Sequence, residues 1–118
     1  MDKNILDLKD VLERVQDDWE LLMEILDIFS EDYLEKRELF NSLLPEKNSE
    51  ELRNIAHSIK GAAGNISAKA IHATCEKIEK FAEGNDISPI PDLLIQLDKQ
   101  FVDLQGCIQE LKENGQGA

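Results

Sequence analysis

The fold is decided by residues 90–111, which read IPDLLIQLDKQFVDLQGCIQEL. Seven apolar residues in this stretch recur in alternating steps of four and three positions: Ile90, Leu94, Leu97, Phe101, Leu104, Ile108 and Leu111. This spacing predicts a long helix whose apolar seam packs against other helices at a shallow angle. Ser88-Pro89 is predicted to open this helix, because proline is tolerated at the first helical position.

Two helices are predicted near the N-terminus from the same apolar period. A short one covers about Leu6 to Val15. A longer one begins near Asp17 or Asp18, either of which is a good N-cap, since a carboxylate accepts the free N–H groups of the first turn. It stops before Pro45, which lacks an N–H donor and disfavours a helical residue before it.

Two more helices lie between this long helix and the C-terminal seam. Asn48 and Glu51 resemble a capping pair at the start of the third helix. Ser67 is predicted to be the N-cap of the fourth, and Gly84-Asn85 to end it in the manner of a C-terminal glycine.

The inward-facing residues of the four earlier helices follow from the helical period. They are Leu8, Leu12 and Val15; Leu22, Leu26, Phe29, Tyr33, Phe40 and Leu43; Leu52, Ile55, Ala56, Ile59, Ala63 and Ile66; and Ile71, Cys75, Ile78 and Ala82. No segment alternates with period two, so no sheet is predicted. Because the connections are short, we expect an all-α fold: an up-and-down antiparallel four-helix bundle with a short additional N-terminal helix.

The chain has 118 residues, which is within the range of a single domain. Residues 1–113 are predicted to form that domain, with a core that needs neither metal nor disulfide. Residues 114–118, NGQGA, are predicted to be a flexible tail. We expect the protein to be a monomer.

The net charge of −12 limits the kinds of partner. It repels the phosphates of nucleic acids and anionic lipid surfaces, so neither a nucleic acid nor a membrane is expected to bind. The chain contains one Trp, one Tyr and four Phe, too few to form a stacking platform for bases. The partner is therefore expected to be a protein.

Cys75 and Cys107 are too few and too far apart to form a disulfide framework. Both lie in amphipathic patterns typical of reduced core residues. The chain has no apolar run long enough to span a membrane, and its first residues do not resemble a signal peptide. A cytoplasmic location is therefore predicted.

The segment most informative about function is residues 57–65, HSIKGAAGN. His57, Lys60, Gly61 and Gly64 stand at i, i+3, i+4 and i+7, so they share one face of the third helix, beside its buried stripe. Each glycine inside a helix costs about 1 kcal/mol relative to alanine. Their presence predicts an open surface beside a partly solvated imidazole, where a large partner can approach.

These residue types can support phosphoryl chemistry. A largely neutral imidazole is a nitrogen nucleophile near neutral pH. Lys60, one turn away, can pair with a phosphoryl oxygen on the ring. An ordinary surface histidine has the higher prior for an isolated residue, and Gly64 with Asn65 can equally be the C-terminal cap of the helix.

Other candidate sites are weaker. His72 is interpreted as a boundary residue beside the buried stripe. A metal site from His57, His72 and Cys75 is disfavoured, because no pair of ligands has the spacing typical of such sites. No Gly-rich phosphate loop is present, so the chain is expected to lack a nucleotide site of its own.

The pattern His57-x-x-Lys60-Gly61-x-x-Gly64, followed by Cys75 and then by Ile78-Glu79, resembles the signature of histidine-containing phosphotransfer (HPt) domains of bacterial phosphorelays. The resemblance covers nearly the whole chain, and the helices occur in the family's order. One departure is visible in the turn after the histidine-bearing helix, where Ser67 stands at a position that is glycine in many members.

The resemblance implies roles for four residues. His57 is the expected phosphoacceptor, through Nε2, and Lys60 is expected to steady the phosphoryl group. Gly61 and Gly64 are expected to leave room for a docking receiver domain. The implied function is a phosphorelay carrier that exchanges a phosphoryl group with a receiver aspartate and is not itself an enzyme. The implied partners are a receiver domain and a sensor or hybrid histidine kinase, with Mg²⁺ on the receiver and no cofactor on this chain.

Two other functions were weighed. The first is a non-catalytic helical adaptor that binds a signalling partner through the bundle face, which has no chemical need for His57 and Lys60. The second is a fragment of a kinase dimerisation domain, which would require a two-helix hairpin and a nucleotide-binding domain nearby.

Overall fold

The structure, a computed structural model, describes residues 1–114. These residues form five α-helices and no strand: α1 Leu8–Arg14, α2 Trp19–Leu43, α3 Ser49–Asn65, α4 Lys69–Glu83 and α5 Ile90–Asn114. Helices α2 to α5 pack as a four-helix bundle, and α1 packs against it. The predicted all-α bundle with a short additional N-terminal helix is confirmed.

The interior of the bundle is formed by the predicted apolar seams. The seam of α5 is buried from Ile90 to Ile108, and only its last member, Leu111, is half-buried. Tyr33 of α2 stacks on Phe101 of α5 with ring centroids 4.1 Å apart. The two longest helices are thereby held side by side at the middle of the bundle.

Helix α1 is shorter than predicted, and a different residue anchors it. Asp7 is its N-cap, because the Asp7 carboxylate accepts a hydrogen bond from the backbone N–H of Asp10 at 3.2 Å. Val11 is fully buried, whereas the predicted inward residues Leu8 and Leu12 are only half-buried. A seven-residue helix at the end of a bundle has one turn that faces the core, which explains the difference.

The turn between α3 and α4 corrects the prediction for Ser67. Ala68, not Ser67, is the N-cap of α4. Ser67 adopts φ 61°, in the left-handed region that favours glycine, and its hydroxyl donates to Asp10 of α1 instead of capping α4. The backbone N–H of Asp7 also donates to the Ser67 carbonyl at 3.0 Å, so this turn holds α1 in place.

The ends of α4 and α5 also differ from prediction. Gly84 is the C-cap of α4, but its φ is an ordinary −83°, and the left-handed residue is Asn85 at φ 58°. Helix α5 starts at Ile90, one residue later than predicted. It continues through Asn114, which was assigned to the tail; the remaining tail residues, 115–118, lie outside the described part of the chain.

No helix within residues 1–114 has both the length and the apolar character needed to cross a membrane.

Candidate functional site

His57 lies on the outward face of α3, and 63% of its side chain is exposed. The predicted solvation of the imidazole is therefore correct. Gly61 follows one turn later and is also exposed; apart from its chain neighbours and the backbone of its own helix, no described atom lies within 4 Å of where its Cβ would be. The surface beside the imidazole is open at Gly61, as the interior glycine indicated.

A carboxylate from α4 joins His57 and Lys60. Nδ1 of His57 lies 2.8 Å from Oε2 of Glu79, and Nζ of Lys60 lies 2.6 Å from the other oxygen, Oε1. Only 9% of the Glu79 side chain is exposed, so the carboxylate is held between α3 and α4. Glu79 stands in the pattern that resembles the HPt signature, but no role follows for it from the sequence. The available signal was a charged residue one turn after Cys75 in the buried stripe of α4, where an acid needs a partner.

The charge state of this cluster follows from its contacts. Burial opposes ionisation of Glu79, but hydrogen bonds from Lys60 and His57 outweigh it and hold the pKa of the carboxyl below its usual value. The hydrogen bond to Glu79 likewise raises the pKa of Lys60. Near neutral pH the pair therefore consists of a carboxylate and an ammonium ion.

The Glu79 carboxylate also determines the tautomer of His57. An ionised carboxylate only accepts hydrogen bonds, so Nδ1 of His57 must carry the hydrogen. In a neutral ring the lone pair is then on Nε2. Within residues 1–114, Nε2 makes no hydrogen bond, so the nucleophilic nitrogen is the one that faces solvent.

Lys36 of α2 contacts Ser58, the residue that follows His57 in α3. Its Nζ donates to the hydroxyl of Ser58 at 2.6 Å and pairs with Asp32 at 2.7 Å. The sequence pattern gave no role to this lysine. Its position next to the residue that follows His57 depends on how α2 packs on α3.

Gly64 has different surroundings from Gly61. It lies inside α3, which ends at Asn65 with Ile66 as the C-cap, so the interpretation of Gly64-Asn65 as the cap is wrong. A Cβ on Gly64 would lie 3.4 Å from Nδ1 of His72 on α4. That distance is an ordinary van der Waals contact, so the His72 ring does not by itself require glycine here.

His72 is a boundary residue, as predicted. It is half-buried, and its Nδ1 donates to the backbone carbonyl of Lys60 at 3.1 Å. Cys75, one turn after Ile71 in the same helix, is fully buried, and burial raises the pKa of its thiol to about 12. A thiol held in its protonated form is a poor metal ligand. Within residues 1–114, no three His, Cys, Asp or Glu side chains are grouped as a metal ion would require.

An apolar groove runs between α2 and α3, on the Lys36 side of His57. Its volume is about 330 Å³, and it is lined by Ile25, Ile28, Phe29, Asp32, Ala62, Asn65 and Ile66. Ile28 is exposed, and so are Leu21 and Leu39, which lie seven residues before and eleven residues after it on the same face of α2. The surface beside His57 is therefore apolar on one side and polar, at Lys60 and Glu79, on the other.

Residues 24–114 match the protein family described as the Hpt domain. The chain belongs to the Hpt domain family. It is therefore a phosphorelay carrier of two-component signalling, and the partners of such a carrier are histidine kinases and receiver domains. No curated protein matches the chain.

Two solved structures share the fold of this Hpt domain. Histidine-containing phosphotransfer protein B (HptB) from Pseudomonas aeruginosa PAO1 is 24% identical with a TM-score of 0.81, over 90% of this chain and 93% of that one. The HPT domain of a sensor hybrid histidine kinase from Shewanella is 16% identical with a TM-score of 0.77, over 99% of this chain and 100% of that one. At these identities the likeness shows the fold.

Proposed function

We propose that His57 carries the phosphoryl group of this Hpt domain, bonded to Nε2. The observation that carries the proposal is the hydrogen bond between Nδ1 and Glu79, because it leaves the lone pair on the exposed nitrogen. His72 also has its Nδ1 hydrogen-bonded, but its ring is half-buried, and its bonded partner is a neutral carbonyl.

The transfer exchanges one bond to phosphorus for another. The Nε2 lone pair attacks the phosphorus of a receiver aspartyl phosphate, an N–P bond forms, and the O–P bond breaks with release of the receiver carboxylate. The ring then carries a positive charge, which the Glu79 carboxylate stabilises through its contact with Nδ1. The reverse step returns the phosphoryl group to a carboxylate. Such transfers depend mainly on positioning and on electrostatic stabilisation.

Lys60 steadies the phosphoryl group in this proposal. One hydrogen of its ammonium group binds Glu79, and an ammonium group has three hydrogens to donate, so two remain for phosphoryl oxygens. The chain supplies no cofactor and no nucleotide site; the receiver supplies the Mg²⁺. It is a carrier and not an enzyme in its own right.

The receiver docks over Gly61 and the apolar groove between α2 and α3. Gly61 offers no side chain to obstruct the approach, and Ile28 provides exposed apolar surface beside it. Gly64 contributes by adding no side chain to the same face of α3. The contact is transient and at the small end of interface sizes.

The chain works as a monomer in the cytoplasm and does not bind nucleic acid. The net charge of −12 supports this, because it opposes both self-association and binding to phosphate backbones. Cys75 and Cys107 are free thiols, as in a reducing compartment.

The proposal is tested by incubating the chain with a phosphorylated receiver domain and Mg²⁺. Wild type is expected to take up label that is labile in acid and stable in base, as a phosphohistidine is. His57→Gln is expected to take up none while keeping its helical circular dichroism. His72→Gln is the matched control and is expected to be labelled like wild type. Label on folded His57→Gln would refute the assignment.

A further inference from the structure

Two lysines contact the part of α3 that carries His57, each from a different neighbouring helix. Lys60 lies on the α4 side and contacts Glu79, whereas Lys36 lies on the α2 side and contacts Ser58, the residue after His57. Consecutive residues of a helix point about 100° apart, so the Lys36 ammonium lies on the face of α3 adjacent to the face that carries His57.

We propose that Lys36 is a second phosphoryl-binding cation: it leaves Asp32 and pairs with the phosphoryl oxygens once His57 is phosphorylated. This inference rests on His57 being the phosphoacceptor. It extends the site to α2, a helix to which the sequence pattern around His57 assigns no part in the chemistry.

The charge balance of the site supports this role. A phosphoryl group on Nε2 brings about two negative charges near neutral pH. The ammonium of Lys60 is already matched by the carboxylate of Glu79 at 2.6 Å. The phosphorylated ring and Lys60 each carry one positive charge, whereas Glu79 carries one negative charge and the phosphoryl group carries about two. One further cation therefore brings the cluster close to neutrality.

Lys36 is the cation that is easier to release from its partner. Its side chain and that of Asp32 are 27% and 41% exposed, and they form an i,i+4 pair on the surface of α2. Exposed pairs of this kind contribute little to stability, so exchanging Asp32 for a phosphoryl group has a small cost. Lysine also has a flexible four-carbon stem, which allows the ammonium to move without any change in the backbone.

The position of Ser58 fits this exchange. Its hydroxyl accepts from Lys36 at 2.6 Å, which keeps the ammonium within one residue of the phosphoacceptor while the site is empty of phosphate. A neutral hydroxyl binds the ammonium more weakly than an anionic phosphoryl oxygen does. Lys36 can therefore exchange Ser58 for a phosphoryl oxygen once His57 is phosphorylated.

The experiment measures how a phosphoryl group distributes at equilibrium between a receiver domain with Mg²⁺ and this chain. For Lys36→Gln we expect the ratio of phosphorylated chain to phosphorylated receiver to fall about three- to tenfold, the size typical of a charge-assisted hydrogen bond at an exposed site. Lys36→Arg retains the charge and is expected to restore most of the ratio. Lys99→Gln, an exposed lysine of α5, is the matched control and should match wild type.

Asp32→Asn separates this role from a structural one. It breaks the same ion pair as Lys36→Gln but leaves the lysine free, so we expect the ratio to rise about twofold, since the phosphoryl group no longer competes with a carboxylate. A structural ion pair would instead make both variants change the ratio in the same direction, and that result would overturn the proposal.

A receiver-free measurement separates phosphoryl binding from docking. His57 is phosphorylated with phosphoramidate, and the ³¹P resonance is followed as a function of pH. A nearby ammonium favours the dianion, so Lys36→Gln is expected to raise the apparent pKa of the phosphoryl group by about 0.3–0.7 units. An unchanged titration would assign Lys36 to the receiver contact and refute the proposal.

Failure of this inference differs from failure of the proposed function. If His57→Gln still accepts label, the phosphoacceptor is wrong and the Lys36 proposal falls with it. If His57→Gln accepts none and Lys36→Gln behaves as wild type in both measurements, only the second cation is refuted.

Discussion

The two histidines of the chain lie on neighbouring helices and have similar hydrogen bonds but different surroundings. In both rings Nδ1 is the bonded nitrogen, to the Glu79 carboxylate for His57 and to the backbone carbonyl of Lys60 for His72. The His57 ring is exposed, whereas the His72 ring is half-buried and packs on Gly64.

The comparison shows that the tautomer alone does not make a phosphoacceptor. Both contacts leave the lone pair on Nε2, because a carboxylate and a carbonyl both accept hydrogen bonds. Two features are specific to His57: the surface beside it is open at Gly61, and its bonded partner carries a negative charge that can stabilise a positively charged ring. Each of these features can be removed separately.

The largest effect is expected when a side chain is added at Gly61. It would close the surface beside His57 in the way that the surface beside His72 is closed. Gly61→Leu should slow phosphoryl transfer from a receiver by about 100-fold, because displacing the reacting groups by about 1 Å has an effect of that size. The measurement is a quenched time course of label transfer from a phosphorylated receiver.

The matched control for Gly61→Leu is Gly106→Leu on α5. Gly106 is also exposed, and its Cβ would likewise meet no described atom within 4 Å outside its chain neighbours and the backbone of its own helix. Each leucine should raise the free energy of unfolding by about 0.5–1 kcal/mol through helix propensity. Only the variant beside His57 should lose transfer; equal slowing in both would contradict the open-surface argument.

A smaller effect is expected when the charged partner of His57 is removed. Glu79→Ala should slow transfer about tenfold, since it removes a charge-assisted hydrogen bond that orients the ring and offsets its positive charge. Glu79→Gln keeps an acceptor without the charge and should fall between the alanine variant and wild type. A Glu79→Gln variant that transfers as fast as wild type would show that the charge is not what matters.

The smallest effect is expected in the pH dependence of stability. The pKa of Glu79 is lower in the folded chain than its ordinary value, so the folded state binds fewer protons than the unfolded state between those two pKa values. The contribution of Glu79 is therefore fully present above its ordinary pKa and is lost as the pH falls through the folded-state value.

Urea unfolding of wild type and Glu79→Gln between pH 7 and pH 3 measures this contribution. Wild type should lose stability more steeply on acidification than Glu79→Gln, and the two curves should converge at the acid end. Parallel curves would mean that Glu79 is not held ionised by Lys60 and His57. The carboxylates of Asp7 and Asp10, whose pKa values are also lowered, titrate alike in both variants and do not affect the difference.

The sequence predicted those features that depend on one helix at a time. The four-three seam of α5 placed six of its seven residues in the core, and the spacing of His57 and Gly61 correctly predicted an exposed, open face. The N-cap at Asn48 was also predicted, and it is confirmed: the Asn48 side chain accepts a hydrogen bond from the N–H of Glu51 at 3.1 Å. Helical periodicity and first-turn capping are local, so they can be inferred from neighbouring residues.

The errors fall where two elements meet. Ser67 has the composition of an N-cap, but its hydroxyl bonds to Asp10 of α1 and its backbone is left-handed. The hydroxyl's partner is 57 residues away, and propensity does not report it. Gly64 has the composition of a helix cap, but α3 continues one residue past it to Asn65.

By itself, the sequence determined the helices, their apolar faces and the exposed His57 with its open neighbour Gly61, because these follow from spacing within a helix. Only the tertiary structure decided what lies near the imidazole: Glu79 from α4 at hydrogen-bond distance from Nδ1, and Lys36 from α2 on the neighbouring Ser58. The physical reason is that hydrogen bonding at this site depends on atoms within about 3 Å of each other. Those atoms belong to helices that become neighbours only when the bundle packs.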